Sequence, residues 1–249
     1  MNAIFGNLTN DGLEEAQDRL GGFQPLDTDI YATKIKAMYA GQAASGARNV
    51  TIIADAGGRE YRETVYITNK KGENFFLNKN DPTKKVPLPG FTLIDHICLI
   101  ATGKPLAEQA TEEKTVKVYD ADAGGEVPKS VPMLVDCLGQ SVSLAILRQL
   151  ENKSKKQGDK YVDTAETREI NLIDKAFDPE SKMTVVEAMN NAEEPEFYEA
   201  WIDKNKGEVR DRRTIKDGEG GDAGNSGRPG SKPASASGGT ERKSLFGNK

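Results

Sequence analysis

Between Arg59 and Lys85 the chain interleaves cations with aromatic rings: Arg59, Arg62, Tyr66, Lys70, Lys71, Phe75, Phe76, Lys79, Lys84 and Lys85. The acids of this segment are Glu60, Glu63, Glu73 and Asp81, so it is basic within a chain of net charge -5. Lys34 and Lys36 add charge on a shared face of an upstream strand pattern. Cations neutralise phosphates, and rings stack on bases at about 1–3 kcal/mol per base. Rings flanked by lysines in a polar loop are harder to place in a core than rings in an apolar run, although one of Phe75 and Phe76 could anchor the loop. The mixture suits a polymer with phosphates on one side and bare base faces on the other, which is single-stranded DNA bound without strong sequence preference.

Other chemistry finds little support. The single histidine, His96, lies in the apolar stretch Phe91 to Ala101 and reads as a packed helix residue rather than a general base. No CxxC or HxxxH spacing points to zinc. Gly103-Lys104-Pro105 lacks the earlier glycine and the following Ser or Thr of a phosphate loop. Asp120, Asp122 and Glu126 do not match a calcium loop and read as a solvated turn. Cys98 and Cys137 sit among apolar residues, as buried free thiols do. The expectation is a non-enzymatic protein with no catalytic residues, no metal and no cofactor. The negative net charge argues against a globally basic binder, but phosphate binding is a local field effect.

These residues must be held by elements that the patterning outlines. Residues 1–22 read as a loose arm without the basic and apolar regions of a signal peptide. Tyr31, Thr33, Ile35, Ala37 and Tyr39 alternate with Ala32, Lys34, Lys36 and Met38, which predicts a strand with unlike faces. Arg48–Ala54 is a second strand and Arg59–Thr68 a third, with the glycine turn Gly57-Gly58 between them. On the third, Tyr61, Val65 and Ile67 share one face and Arg62, Thr64 and Tyr66 the other. A loop runs from Asn69 to Gly90. Next comes a helix, with Thr92 as cap, Asp95 completing a capping box and Gly103 as the stop. Thr115–Tyr119 is a fourth strand and Val142–Leu150 a fifth, with a short helix as the alternative there. Three strands, a helix and two strands is the element order of an OB-fold. The expected class is mainly β with α additions: an OB-like five-stranded barrel, peripheral helices and a disordered C-terminal tail.

Beyond the barrel, Glu151 to Asp159 is polar and basic. Thr184–Ala192 and Glu194–Lys204 read as helices, with Phe197 and Trp201 on a shared face that packs onto the barrel, base stacking being the alternative. From Asp217 the chain is dominated by Gly, Ser, Pro and Ala until Leu245 and Phe246, so 217–249 reads as a linker ending in a partner-binding hydrophobic tip.

Residues 23–216 resemble a family of tailed-bacteriophage single-stranded DNA-binding proteins. The matching stretches are LDTDIYATKIKAMYAGQAASGARNVTI, REYRETVYITNKKGENFF, VPLPGFTLIDHICLIATGKPL, VPMLVDCLGQSVSLAILRQ, YVDTAETREIN and FYEAWIDKNKGEVRD, with the short tip KSLFG. The resemblance implies an OB-fold, coating of single strands during phage DNA replication, recombination and repair, and the cytoplasm of an infected bacterial host. It implies phage replication or recombination proteins as further partners through the tip. Many such proteins end in an acidic peptide. Here Arg242, Lys243 and Lys249 make the tip basic. The competing functions are an annealing or recombination mediator, a structural phage protein without DNA binding, and a nuclease built from distant carboxylates.

Overall fold

The computed structural model describes residues 24–120, 123–158 and 160–215. The expected arm, most of the tail, and the tip residues Leu245 and Phe246 lie outside the described residues. What is described is mainly β, with a large antiparallel sheet and few helices. Strands β1 (Asp29–Gln42), β2 (Arg48–Ala56) and β3 (Arg59–Tyr66) form a meander. After it come a small hairpin, β4 (Phe75–Leu77) against β5 (Lys85–Pro87), and helix α1 (Pro89–Thr102). The chain continues through β6 (Thr111–Asp120) and β7 (Gly125–Leu134), the long strands β8 (Ser141–Gln157) and β9 (Lys160–Phe177), helices α2 (Val185–Met189) and α3 (Glu196–Asn205), and the short β10 (Val209–Asp211).

Five strands lie in the order β9, β8, β1, β2, β3. They do not close into a hydrogen-bonded barrel, because among the described residues no ladder joins β3 to β9. A side chain spans that gap. Glu63 of β3 accepts the backbone N–H of Ile173 on β9 at 2.7 Å, and the same oxygen accepts the Tyr61 hydroxyl at 2.7 Å. Burial, and then the neighbouring Glu63 carboxylate, raise the Tyr61 pKa. A charge-assisted bond of this kind contributes more than a neutral one, about 1.5–3 kcal/mol. Glu63→Ala should therefore destabilise the chain by about 2 kcal/mol, read as a lower urea midpoint. Tyr61→Phe, which leaves the Ile173 bond intact, should cost less. Equal midpoints for Glu63→Ala and the parent chain would remove the bridge from the account.

The main core lies between α1 and the inner faces of the strands, where Ile35, Met38, Ile52, Ile94, Ile97, Leu144, Ile146 and Ile173 are fully buried. β1 departs from simple alternation. A bulge at Lys36 shifts its register against β2 between Ile35 and Ala37. A bulge inserts one residue and reverses the facing of the residues beyond it. Ile35 and Met38 therefore both reach the main core, while Ala37 and Tyr39 turn to the opposite face. There Tyr39 and Ile53 meet Val131 and Met133 of β7, which roofs part of the outer face. A third cluster packs Trp201 of α3 on Ala145, Leu147 and Phe177, and the indole N–H donates to Asp174 at 2.8 Å. Trp201 thus packs as expected, whereas Phe197 stays 41% exposed.

The helix α1 begins earlier than its sequence suggests. Pro89 sits in its first turn, Leu88 is the N-cap and no side chain caps it. Thr92 is inside the helix, and Asp95 accepts the Leu106 N–H at 2.8 Å instead of completing a capping box. Gly103 ends the helix with φ 73°, as expected. The capping box forms later, on α2, between Thr184 and Glu187. Cys98 and Cys137 are free and buried, and their mutual hydrogen bond, together with burial, pushes the Cys98 thiol up.

Candidate nucleic-acid interface

Strand alternation makes one face of the meander from Lys34, Ala37 and Tyr39 on β1, Asp55, Ile53, Thr51 and Asn49 on β2, and Glu60, Arg62, Thr64 and Tyr66 on β3. The roof covers Tyr39 and Ile53 but leaves the β3 row open: Arg62, Thr64 and Tyr66 are exposed, with Tyr66 54% accessible. Arg62 and Tyr66 both project from this open row. The Tyr66 backbone is braced from behind. The first turn of α1 backs onto the end of β3, where Gly90 lies against the Tyr66 carbonyl.

Beyond Tyr66 the loop is more ordered than the sequence predicts. Asn69 organises the turn that carries Lys70 and Lys71, accepting the N–H groups of Lys71 and Glu73 at 2.9 and 3.0 Å. The β4–β5 hairpin then places Phe75 opposite Pro87 and Phe76 opposite Val86. Phe75 is half-buried, with the Lys85 ammonium 4.3 Å above its ring. Phe76 is 48% exposed and is the freer of the two rings. Lys70, Lys71 and Lys79 are exposed and make no ion pair among the described residues.

The remaining expected cations divide. Lys34 is exposed without an ion-pair partner among the described residues and lines a shallow pocket with Ser141 and Gly139. Lys36 faces Asp55 at 3.4 Å and Glu60 at 3.8 Å. Arg62 lies between Glu60 at 4.0 Å and Glu126 at 3.9 Å. Lys84 pairs with Asp81 at 3.4 Å. Arg59 is not on the Arg62 face; its guanidinium donates to the Gln24 carbonyl. Arg59 and Tyr66 stand at opposite ends of β3, about 23 Å apart at a strand's rise per residue. Apart from Arg59, the expected residues therefore spread along an extended track, with Lys34 at one end and Lys70, Lys71, Lys79 and the exposed rings at the Tyr66 end.

Two further hairpins carry the same chemistry and were not among the expected site residues. On β6, Tyr119 is 64% exposed beside exposed Lys117. Beyond Asn152, β8 and β9 continue as an arm, where Lys156 faces Tyr161 and Gln157 faces Lys160. Tyr161 is 74% exposed, and Lys155, Lys156 and Lys160 have no ion pair among the described residues. The signal was present in the basic stretch from Glu151 to Asp159, but nothing identified it as strand.

Among the described residues, no group of three or more His, Cys, Asp or Glu side chains is placed to hold a metal ion. No helix among them is long and apolar enough to cross a membrane. Compared with known proteins, the chain matches no family model, no curated protein and no solved structure.

Proposed function

We propose that this protein coats single-stranded DNA without strong sequence preference, through an OB-like sheet. The observation that carries the reading is the repeated association of exposed rings with lysines that make no ion pair among the described residues. Tyr66 and Phe76 accompany Lys70, Lys71 and Lys79; Tyr119 accompanies Lys117; Tyr161 accompanies Lys155, Lys156 and Lys160. Each association offers a stacking surface next to a phosphate neutraliser. The strand order β9, β8, β1, β2, β3, with α1 entering between β3 and β8, supports the OB-like assignment. So does Glu63, which bridges the strands a closed barrel would pair. The phage-family resemblance supports a role in replication, recombination and repair.

The test is binding of the full chain to labelled oligo-dT across a salt series, with duplex DNA as comparison. Five phosphate contacts on a single strand give a log–log slope of about -3.5, or about 100-fold weaker binding between 50 and 200 mM salt. Oligo-dT should bind more tightly than duplex throughout. Equal or tighter duplex binding at moderate salt, or an affinity indifferent to salt, would overturn the proposal.

A further inference from the structure

The helical region behind the sheet has the opposite character to the hairpins. Between Glu180 and Lys204 there are seven acids and two lysines. Glu193, Glu194, Glu196 and Asp203 are exposed and have no ion-pair partner among the described residues; Glu199 is 3.8 Å from Lys182. Three apolar side chains emerge at this surface: Val186 at 43%, Met189 at 49% and Phe197 at 41% exposure, the last with the Lys175 ammonium 5.8 Å from its ring centroid. Val186 and Met189 are three residues apart on α2. Glu187 ties them to the start of α3 by accepting the Phe197 N–H at 2.8 Å. The ring of Phe197 rests 6.2 Å from buried Phe177, so its position is supported from below.

The chain contains a segment with the complementary composition. Residues 241–249 hold the three cations Arg242, Lys243 and Lys249 against the single acid Glu241, and the adjacent apolar pair Leu245 and Phe246. We infer that this segment docks on the α2–α3 face of its own chain. Leu245 and Phe246 meet Val186, Met189 and Phe197, while the three cations lie over Glu193, Glu194 and Glu196. The lysines around Tyr66 would repel the same segment, so charge selects between the two surfaces. Two apolar side chains give only a weak contact. The covalent tether compensates. A Gly-rich chain of about 30 residues has a root-mean-square reach of about 30 Å, and short tethers give effective concentrations in the millimolar range. A site too weak to capture a free peptide is then occupied by its own chain. This docking does not depend on nucleic-acid binding.

Amide NMR of the 15N-labelled full chain tests the docking. The parent is compared with a variant carrying Leu245→Ser and Phe246→Ser, and with a second carrying Glu193→Gln, Glu194→Gln and Glu196→Gln. The expected result is a shift of the α2 and α3 resonances in the tip variant, with the Tyr66–Leu77 resonances unchanged. In the glutamine variant, the tip resonances should move toward their positions in a free peptide spanning 240–249. Raising salt to about 0.5 M should shrink the parent–variant difference, since exposed charges are then screened within about 4 Å. Labelled tip variant mixed with unlabelled parent should show no shift, as docking within one chain requires. Unmoved α2 and α3 resonances in the tip variant, shifts at Tyr66–Leu77 instead, or shifts on mixing would each overturn the inference.

Discussion

Gly90→Ala should destabilise the folded chain by about 3 kcal/mol and broaden the environment of Tyr66. A Cβ at this position would fall well inside contact distance of the Tyr66 carbonyl oxygen and 3.0 Å from Val65 Cγ1. Overpacking costs about 1–3 kcal/mol where neighbours can shift, and more where they cannot. Here the main obstacle is backbone. Tyr66 is paired with Asn49 on β2, so it cannot retreat without disturbing the ladder. The effect reads as a drop in the urea midpoint and a change in near-ultraviolet circular dichroism. Gly72→Ala is the control, because nothing lies within 4 Å of its added Cβ and only the strain of a φ of +80° remains. That strain costs about 1–2 kcal/mol. If Gly90→Ala is no more damaging than Gly72→Ala, α1 does not brace the end of β3 as described.

Tyr66→Ala combined with Phe76→Ala should weaken oligo-dT binding by about 2–6 kcal/mol while leaving the fold intact, since each stacked base contributes about 1–3 kcal/mol. Both rings are about half exposed, so their removal opens no large cavity. Phe75→Ala belongs in the same series. Its ring is half-buried beneath Lys85, so part of its effect should fall on stability. Titration by fluorescence anisotropy, with thermal melts of each variant, separates the two effects. Unchanged affinity in a folded double variant would remove these rings from the interface.

β3 was legible because it has one wet and one dry face, whereas β2, buried on both faces, shows itself as a run rich in Val and Ile. Tyr61 and Val65 are buried and Arg62, Thr64 and Tyr66 are exposed, as the alternation on β3 requires. The same logic misassigned the end of β1, because a bulge at Lys36 is invisible to a period of two. β7 was hidden by Pro128 and Pro132, which weaken any strand pattern. Its edge away from β6 meets β1 only where Tyr39 faces Met133, so most of that edge needs no ladder donors. β9 was hidden for another reason. Much of it runs through the arm, where neither face is buried and the side chains carry no apolar period. The sequence does not mark Tyr119 and Tyr161 as exposed rings, because the partner of β6 carries prolines and β9 has no strand period. The acidic face on α2 and α3 accounts for part of the negative net charge, which therefore says little about the sheet.

The roof formed by β6 and β7 covers Tyr39 and Ile53 and meets the β3 row where Glu126 faces Arg62 at 3.9 Å, leaving Thr64 and Tyr66 exposed, and among the described residues no strand is laddered to the far side of β3. On that side β9 is joined to β3 by the Glu63–Ile173 bond and not by a ladder, and the outer face of β3 forms a shelf on which Thr64 and Tyr66 stay exposed. On the proposed reading, a single strand would settle onto it broadside, at any point along its length, and lift off the same way. Binding of that kind would need no free end: a closed circle should be as accessible as a linear strand.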